Sequence, residues 1–387
     1  MTRTLPTRVG TRARIALALA ATAIALLLAE VAVRLFVSTE PLGRLSYATA
    51  DGEPITAEQA LARDPPLLVP VPAPDGAEPP RPRLMFAPSQ TFYLCYTDAK
   101  TLHRDWLDER GRVPVHINQF GLRDRDDLTI AKPAGERRIL CLGDSFTFAW
   151  GIPEELGWVR LLETELRRTD PMVRTINCGA SGTVCVDEYW WALQHRFHVF
   201  DPDAVVMTLC LNDLIPSSGL NLLGPSPATG FRLLDMLLGA FGRTPLQLDP
   251  DHDWVGELLK LPKDQGGGLY HPVDKPFEAM WSQGTPQRCM RAAKAWCEGR
   301  KIPFMVILWP FLQGLGPGRF YAFRPLHGLV AADCQAAGIP FLDVLPELEG
   351  THEEDLWVTP ADPHCNPLAQ RLALPAIQRF VAATGGF

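Results

Sequence analysis

The chain has 387 residues and a formal net charge of −7, and it is 47% hydrophobic and 21% charged. Those proportions belong to a folded protein rather than a disordered one, and the acidic balance argues against a nucleic-acid partner, for which a basic surface is expected. No phosphate-binding glycine loop and no zinc-spaced Cys/His cluster occurs, so neither a cofactor nor a metal is expected. The nine cysteines are odd in number and scattered, with Cys141 and Cys210 inside apolar runs, which reads as buried free thiols rather than a disulfide framework.

Taken in chain order, Arg3, Arg8, Arg12 and Arg14 precede an uncharged run over 15–29 that continues through Glu30 and Arg34 to Val37. Residues 1–14 are expected to be a basic cytoplasmic tail and 15–37 a transmembrane anchor, with the bulk of the chain outside the cytoplasm, periplasmic or extracellular. A cleaved signal peptide has the same basic start and apolar core, but Leu27-Leu28-Ala29 offers only one small residue of an Ala-x-Ala site. Residues 38–88 contain Pro65, Pro66, Pro70, Pro72, Pro74, Pro79, Pro80 and Pro82, the composition of a stiff spacer. Residues 89–136 are expected to form a membrane-proximal β-rich prelude, with strands over 91–94 and 113–118. The turn Asn118-Gln119-Phe120-Gly121-Leu122-Arg123-Asp124 follows and is given a structural role.

From residue 137 onward strand and helix alternate. Strands are expected over 138–142, 173–177, 204–211, 303–308 and 339–344, and helices over 158–168, 186–197, 285–300, 326–337 and 367–383. This alternation predicts a parallel sheet covered on both faces. An insertion over 217–275 interrupts it; the apolar stripe within 231–241 is expected either to pack as core or to line an acyl pocket or a membrane contact.

Four short blocks carry the chemistry. Gly143-Asp144-Ser145 ends the first apolar strand, where open α/β sheets place ligands. Asn177-Cys178-Gly179-Ala180-Ser181-Gly182 follows the second strand, Asn212-Asp213 the third, and Asp362-Pro363-His364-Cys365-Asn366 precedes the last helix. Singly, each has a bland reading: a helix N-cap at Ser145, a turn glycine at Gly182, a strand-end cap at Asn212. Ser145 also lies outside any Gly-x-Ser-x-Gly elbow.

In this order over 137–384, the four blocks resemble the SGNH or GDSL-type serine esterase and acylhydrolase family, in particular its membrane-anchored members. The resemblance implies a three-layer α/β/α sandwich with a central, mainly parallel sheet, flavodoxin-like, occupying 137–387. It implies Ser145 as nucleophile, His364 as general base and Asp362 as the group orienting the base. The oxyanion donors would be the backbone amides of Ser145 and Gly182 and the side chain of Asn212. Asp144 is expected to tie down the nucleophile turn, and Asn366 to brace the base loop. Two departures stand out: Ala361 occupies the place three before His364 where many members carry Asp, which leaves Asp355 as the fallback orienting residue, and Cys210 replaces a common glycine. The expected activity is carboxylic ester hydrolysis, with an acylated surface glycan among the possible substrates. O-acyl transfer to a polysaccharide is the alternative within catalysis. A non-catalytic glycan-binding or assembly protein, using Trp190, Trp191, Trp281 or Trp309 to stack sugars, is the alternative outside it.

Overall fold

The computed structural model describes residues 10–36, 46–49, 52, 55, 57–77, 84–96, 104–180, 184–214, 284–319, 321, 323–360 and 362–387. The insertion expected over 217–275, with Trp281, Gly182 and Ala361, lies outside them.

The amino-terminal helix α1, Thr11–Phe36, runs 26 residues. At about 1.5 Å per residue it exceeds the roughly 30 Å hydrocarbon core of a bilayer. Its 16–33 stretch is long and apolar enough to cross a membrane, a test that a signal sequence also passes.

The remainder of the chain begins with a small β-rich module. Strand β1 (Ser46–Ala48) pairs antiparallel with β4 (Gln90–Cys95), which pairs antiparallel with β5 (Arg112–Ile117). Helix α2 (Ala57–Ala62) and the antiparallel pair β2 (Leu68–Pro70) and β3 (Leu84–Phe86) complete it. Strand alternation decides which face is buried: in β5, Val113, Val115 and Ile117 point inward while Pro114 faces solvent. Part of the stretch expected as a spacer, 38–88, is therefore packed structure, with Ala48, Ala60, Leu67 and Leu68 buried. The prolines punctuate short apolar runs instead of preventing them, and Pro70 falls at the exposed end of β2, where a missing N–H costs little.

The main sheet has five parallel strands: β6 (Arg137–Gly143), β7 (Val173–Gly179), β8 (Ala204–Cys210), β9 (Phe304–Trp309) and β10 (Phe341–Asp343), in the order β10-β9-β8-β6-β7. Every residue of β7, β8 and β9 is buried, as expected for strands covered on both faces. The chain leaves β6 toward β7 on one side and returns to β8 on the other. Right-handed crossovers then place α4 (Trp158–Leu166) and α5 (Val186–His195) on opposite faces. Helix α6 (Thr285–Glu298) packs on α5, and α10 (Pro367–Gly385) packs on α4. Helix α7 (Arg324–Ala336) links β9 to β10. The result is the expected three-layer α/β/α arrangement. Burying a leucine or isoleucine as completely as Ile139, Leu140 and Leu142 contributes about 1.5–3 kcal/mol each.

Near the final block and the end of β6, the four-residue helix α3 (Ser145–Phe148) lies outside the predicted elements, as does a hairpin of β11 (Trp357–Thr359) with β12 (Asp362–Cys365) where a loop was expected around His364. Short helices α8 (Leu345–Leu348) and α9 (Glu353–Leu356) precede that hairpin. His327 is buried on α7, 2.8 Å from Asp343 and 3.4 Å from the Tyr321 hydroxyl.

Candidate active site

Ser145 stands two residues beyond the end of β6, the strand at which the sheet order reverses and where such folds form a crevice. Asp144 caps α3: its Oδ1 accepts the Phe146 backbone N–H at 2.9 Å. Its role in the turn is thus the expected one. Gly179, at the end of β7, permits the close approach of helix α3, since a Cβ there would lie 2.3 Å from the Phe148 backbone nitrogen.

The prelude turn fixes this corner. Asp124, fully buried, accepts the Asn177 backbone N–H at 2.8 Å and the Arg160 guanidinium at 3.0 Å. Asn177 in turn accepts the Gly179 N–H at 2.9 Å. Arg123, also buried, donates to the carbonyls of Phe148 at 3.0 Å, Ile152 at 2.6 Å, Pro114 at 3.4 Å and, more closely, Ala149. The carbonyls of Phe148, Ala149 and Ile152 lie at and beyond the C-terminus of α3, where partial negative charge accumulates, while that of Pro114 lies in β5. The guanidinium reaches them from the prelude and clamps the turn that carries Ser145.

His364 comes from the other side of the crevice. Asn366 caps α10 by accepting the N–H groups of Leu368 at 2.8 Å and Ala369 at 3.1 Å. Its amide donates to the carbonyls of Asp355 at 2.6 Å and Trp357 at 3.0 Å. These bonds brace the β11–β12 hairpin as the sequence suggested. The Ser145 hydroxyl donates to His364 Nε2 at 2.8 Å, and His364 Nδ1 contacts Asp362 Oδ1 in a short hydrogen bond. Asp362 Oδ1 also accepts the His364 backbone N–H at 3.1 Å, which holds ring and carboxylate in one unit despite the two-residue spacing. Asp355 is exposed, and the carboxylate that meets the imidazole is that of Asp362. The side chain of Asn212, in the turn Leu211–Leu214, lies outside the described residues, as does Gly182.

Electrostatics match this geometry. Burial pushes the Asp362 carboxyl up, but the facing His364, together with hydrogen bonds from His364 and Tyr96, brings it below its ordinary value. Burial works against the charged His364 imidazole, yet the Asp362 carboxylate, with Asp144 adding to it, raises its proton affinity above the ordinary histidine value. Burial raises the Asp144 carboxyl to about 6, against the Phe146 N–H and the His364 charge, which favour ionisation.

Three groups around the site escaped the sequence reading. The Tyr96 hydroxyl donates to Asp362 Oδ2 at 2.8 Å, from 266 residues away in sequence. The rings of Phe146 and Trp150 lie 5.8 and 6.1 Å from the His364 ring and form an apolar wall. No local pattern announces a contact between segments so far apart. Two tryptophans proposed as sugar platforms, Trp191 and Trp309, are buried in the core, so neither face is free for stacking. Cys210 is buried at the end of β8, its N–H donated to Asp213 at 2.8 Å.

The solved structures most like this one include GDSL-type and acetyl esterases. An acetyl xylan esterase, AlAXEase, is 12% identical, with 63% of this chain and 99% of that one aligned at a TM-score of 0.37. The lipase/acylhydrolase from Enterococcus faecalis is 14% identical over 64% and 96%, at 0.35. A two-domain esterase active on acetylated mannans is 14% identical over 66% and 51%, at 0.37. No family model and no curated protein matches the chain. With identities this low and TM-scores below one half, the chemistry rests on the site's own geometry.

Proposed function

We propose that the chain is an SGNH-type serine hydrolase that cleaves a carboxylic ester through an acyl-enzyme. The observation that carries this reading is the Ser145–His364–Asp362 relay, with its 2.8 Å hydroxyl-to-imidazole bond, at the switch point of the sheet. Ser145 Oγ attacks the ester carbonyl as His364 Nε2 takes its proton, and Asp362 holds Nδ1–H and the ring orientation. The tetrahedral oxyanion takes hydrogen bonds from the amides of Ser145 and Gly182 and from the Asn212 side chain. The imidazolium gives its proton to the departing alkoxide. Water, deprotonated by His364, then releases the acid and regenerates Ser145.

Helix α1 serves as an uncleaved anchor that places the hydrolase domain outside the cytoplasm, with the arginine-rich end inside. An acylated surface glycan is the substrate class this placement favours. The test is hydrolysis of p-nitrophenyl acetate and longer acyl esters by the full chain in detergent beside Ser145→Ala. Turnover that vanishes in the variant supports the hydrolase; turnover that persists removes it. Adding a sugar acceptor and analysing products separates water from a hydroxyl as the group that resolves the acyl-enzyme.

A further inference from the structure

We propose that the Tyr96 hydroxyl is the fourth member of the Asp362–His364–Ser145 relay, a positioning group supplied by the β-rich prelude that sets the basicity of His364 through Asp362. The inference rests on the hydrolase reading of that relay and adds to it a residue from a different module of the chain.

Four observations converge on it. Tyr96 immediately follows β4, and its backbone N–H is tied to the Gly111 carbonyl at 2.9 Å, so the ring enters the site from a fixed strand end. Its side chain is buried, as is Asp362, so bulk water does not compete for the 2.8 Å bond. The division of acceptors is clean: Asp362 Oδ1 serves His364 through both ring and backbone, and Oδ2 serves Tyr96. The surroundings also leave room for the hydroxyl. Gly151 has φ +77°, and a Cβ there would stand 2.4 Å from the Tyr96 oxygen and 2.8 Å from both methyls of Val358 in β11.

The chemical consequence has a definite sign. A hydrogen bond donated to a carboxylate stabilises its charge and draws electron density from the oxygen that faces the imidazolium. With the donor removed, Asp362 attracts the His364 proton more strongly, and the imidazole becomes more basic. A tyrosine that only filled space would change stability when truncated to phenylalanine and leave the histidine titration alone. The other charged groups facing this relay stay in place in such a variant. They are Asp144 at the cap of α3, Asp213 behind it after β8, and Arg123 beside Tyr96.

The experiment is a titration of the full chain in detergent, labelled at histidine 13Cε1, with the His364 signal assigned by its loss in His364→Gln. In Tyr96→Phe the His364 midpoint is expected to rise by about half a unit to one unit. The acid limb of kcat/KM for p-nitrophenyl acetate should move by the same amount, and the plateau fall by less than tenfold. Gly151→Ala, which displaces the hydroxyl without removing it, should shift the midpoint in the same direction and serves as the second variant. A His364 midpoint within 0.2 unit of wild type in folded Tyr96→Phe, shown by an unchanged near-UV circular dichroism spectrum, overturns the inference. If Ser145→Ala abolishes turnover while that midpoint stays put, the hydrolase stands and the role of Tyr96 falls. If Ser145→Ala retains turnover, both fall.

Discussion

Replacing Arg123 by methionine removes the guanidinium that clamps the turn carrying Ser145 while keeping an apolar stem of similar length. Four carbonyls lose a donor, those of Phe148, Ala149, Ile152 and Pro114, and three of them border α3. Burial lowers the proton affinity of Arg123 to about 10, so the group remains charged at neutral pH and each bond is charge-assisted. Such bonds contribute roughly 1.5–3 kcal/mol each, and an orphaned buried acceptor costs about 1–3 kcal/mol. Relief from burying the cation offsets part of the loss, which leaves the net change near the 3–5 kcal/mol typical of breaking a buried charged network. For a domain of this size that corresponds to a fall in the apparent unfolding midpoint of roughly 6–20 °C. Differential scanning calorimetry of the full chain in detergent reads it directly. Arg123→Lys, which keeps the charge but loses the planar fork, should recover less than half of the loss. A midpoint for Arg123→Met within about 2 °C of wild type would refute the reasoning and demote Arg123 to a spectator.

Other outcomes follow from the same geometry. Ser145→Ala and His364→Ala should each lower kcat by at least about 1,000-fold with the fold intact, and the double variant should lose little more, because the residues act as a unit. Asp362→Asn should lower kcat by about 10,000-fold by favouring the wrong tautomer, as measured by ester hydrolysis at pH 8. Because His364 is held above its ordinary value, kcat/KM should fall as pH drops through a midpoint above 6.5. In stability terms the raised His364 contributes below its unfolded value and loses that contribution as pH rises through its folded value. The lowered Asp362 contributes above its unfolded value and loses it as pH falls through its folded one. The difference in thermal midpoint between wild type and His364→Gln should therefore be largest between about pH 4 and pH 6.5, and smaller on either side. Asp144, raised to about 6, has the opposite sign for a carboxyl: its ionisation costs stability as pH rises from its ordinary value toward 6. Asp144→Asn, which keeps the capping oxygen, should thus gain stability relative to wild type between pH 4 and pH 7, measured by thermal melts at both.

The order of the strands and helices was legible because periodicity and turn residues are local. Strand β6 was expected over 138–142 and spans Arg137–Gly143, and α10 begins at Pro367 where a proline suits a first turn. The positions of Ser145 and His364 were legible because each ends or precedes a strong element. The packed module within 46–77 was missed because its proline-rich composition dominates its short apolar runs. The hairpin around His364 was missed because its strands have three and four residues, too few to establish a period of two. Tyr96, Arg123 and the burial of His327 were invisible for another reason: each depends on a partner brought close by the fold, and a sequence shows neighbours only along the chain.

The central claim is a covalent acyl-enzyme on Ser145, and the most direct test is mass spectrometry of the full chain quenched during turnover of p-nitrophenyl acetate. An acetyl group on the peptide containing Ser145, absent in Ser145→Ala and formed far more slowly in His364→Ala, is the predicted result. Active protein with Ser145 unmodified, or the same acetylation rate without His364, would contradict it.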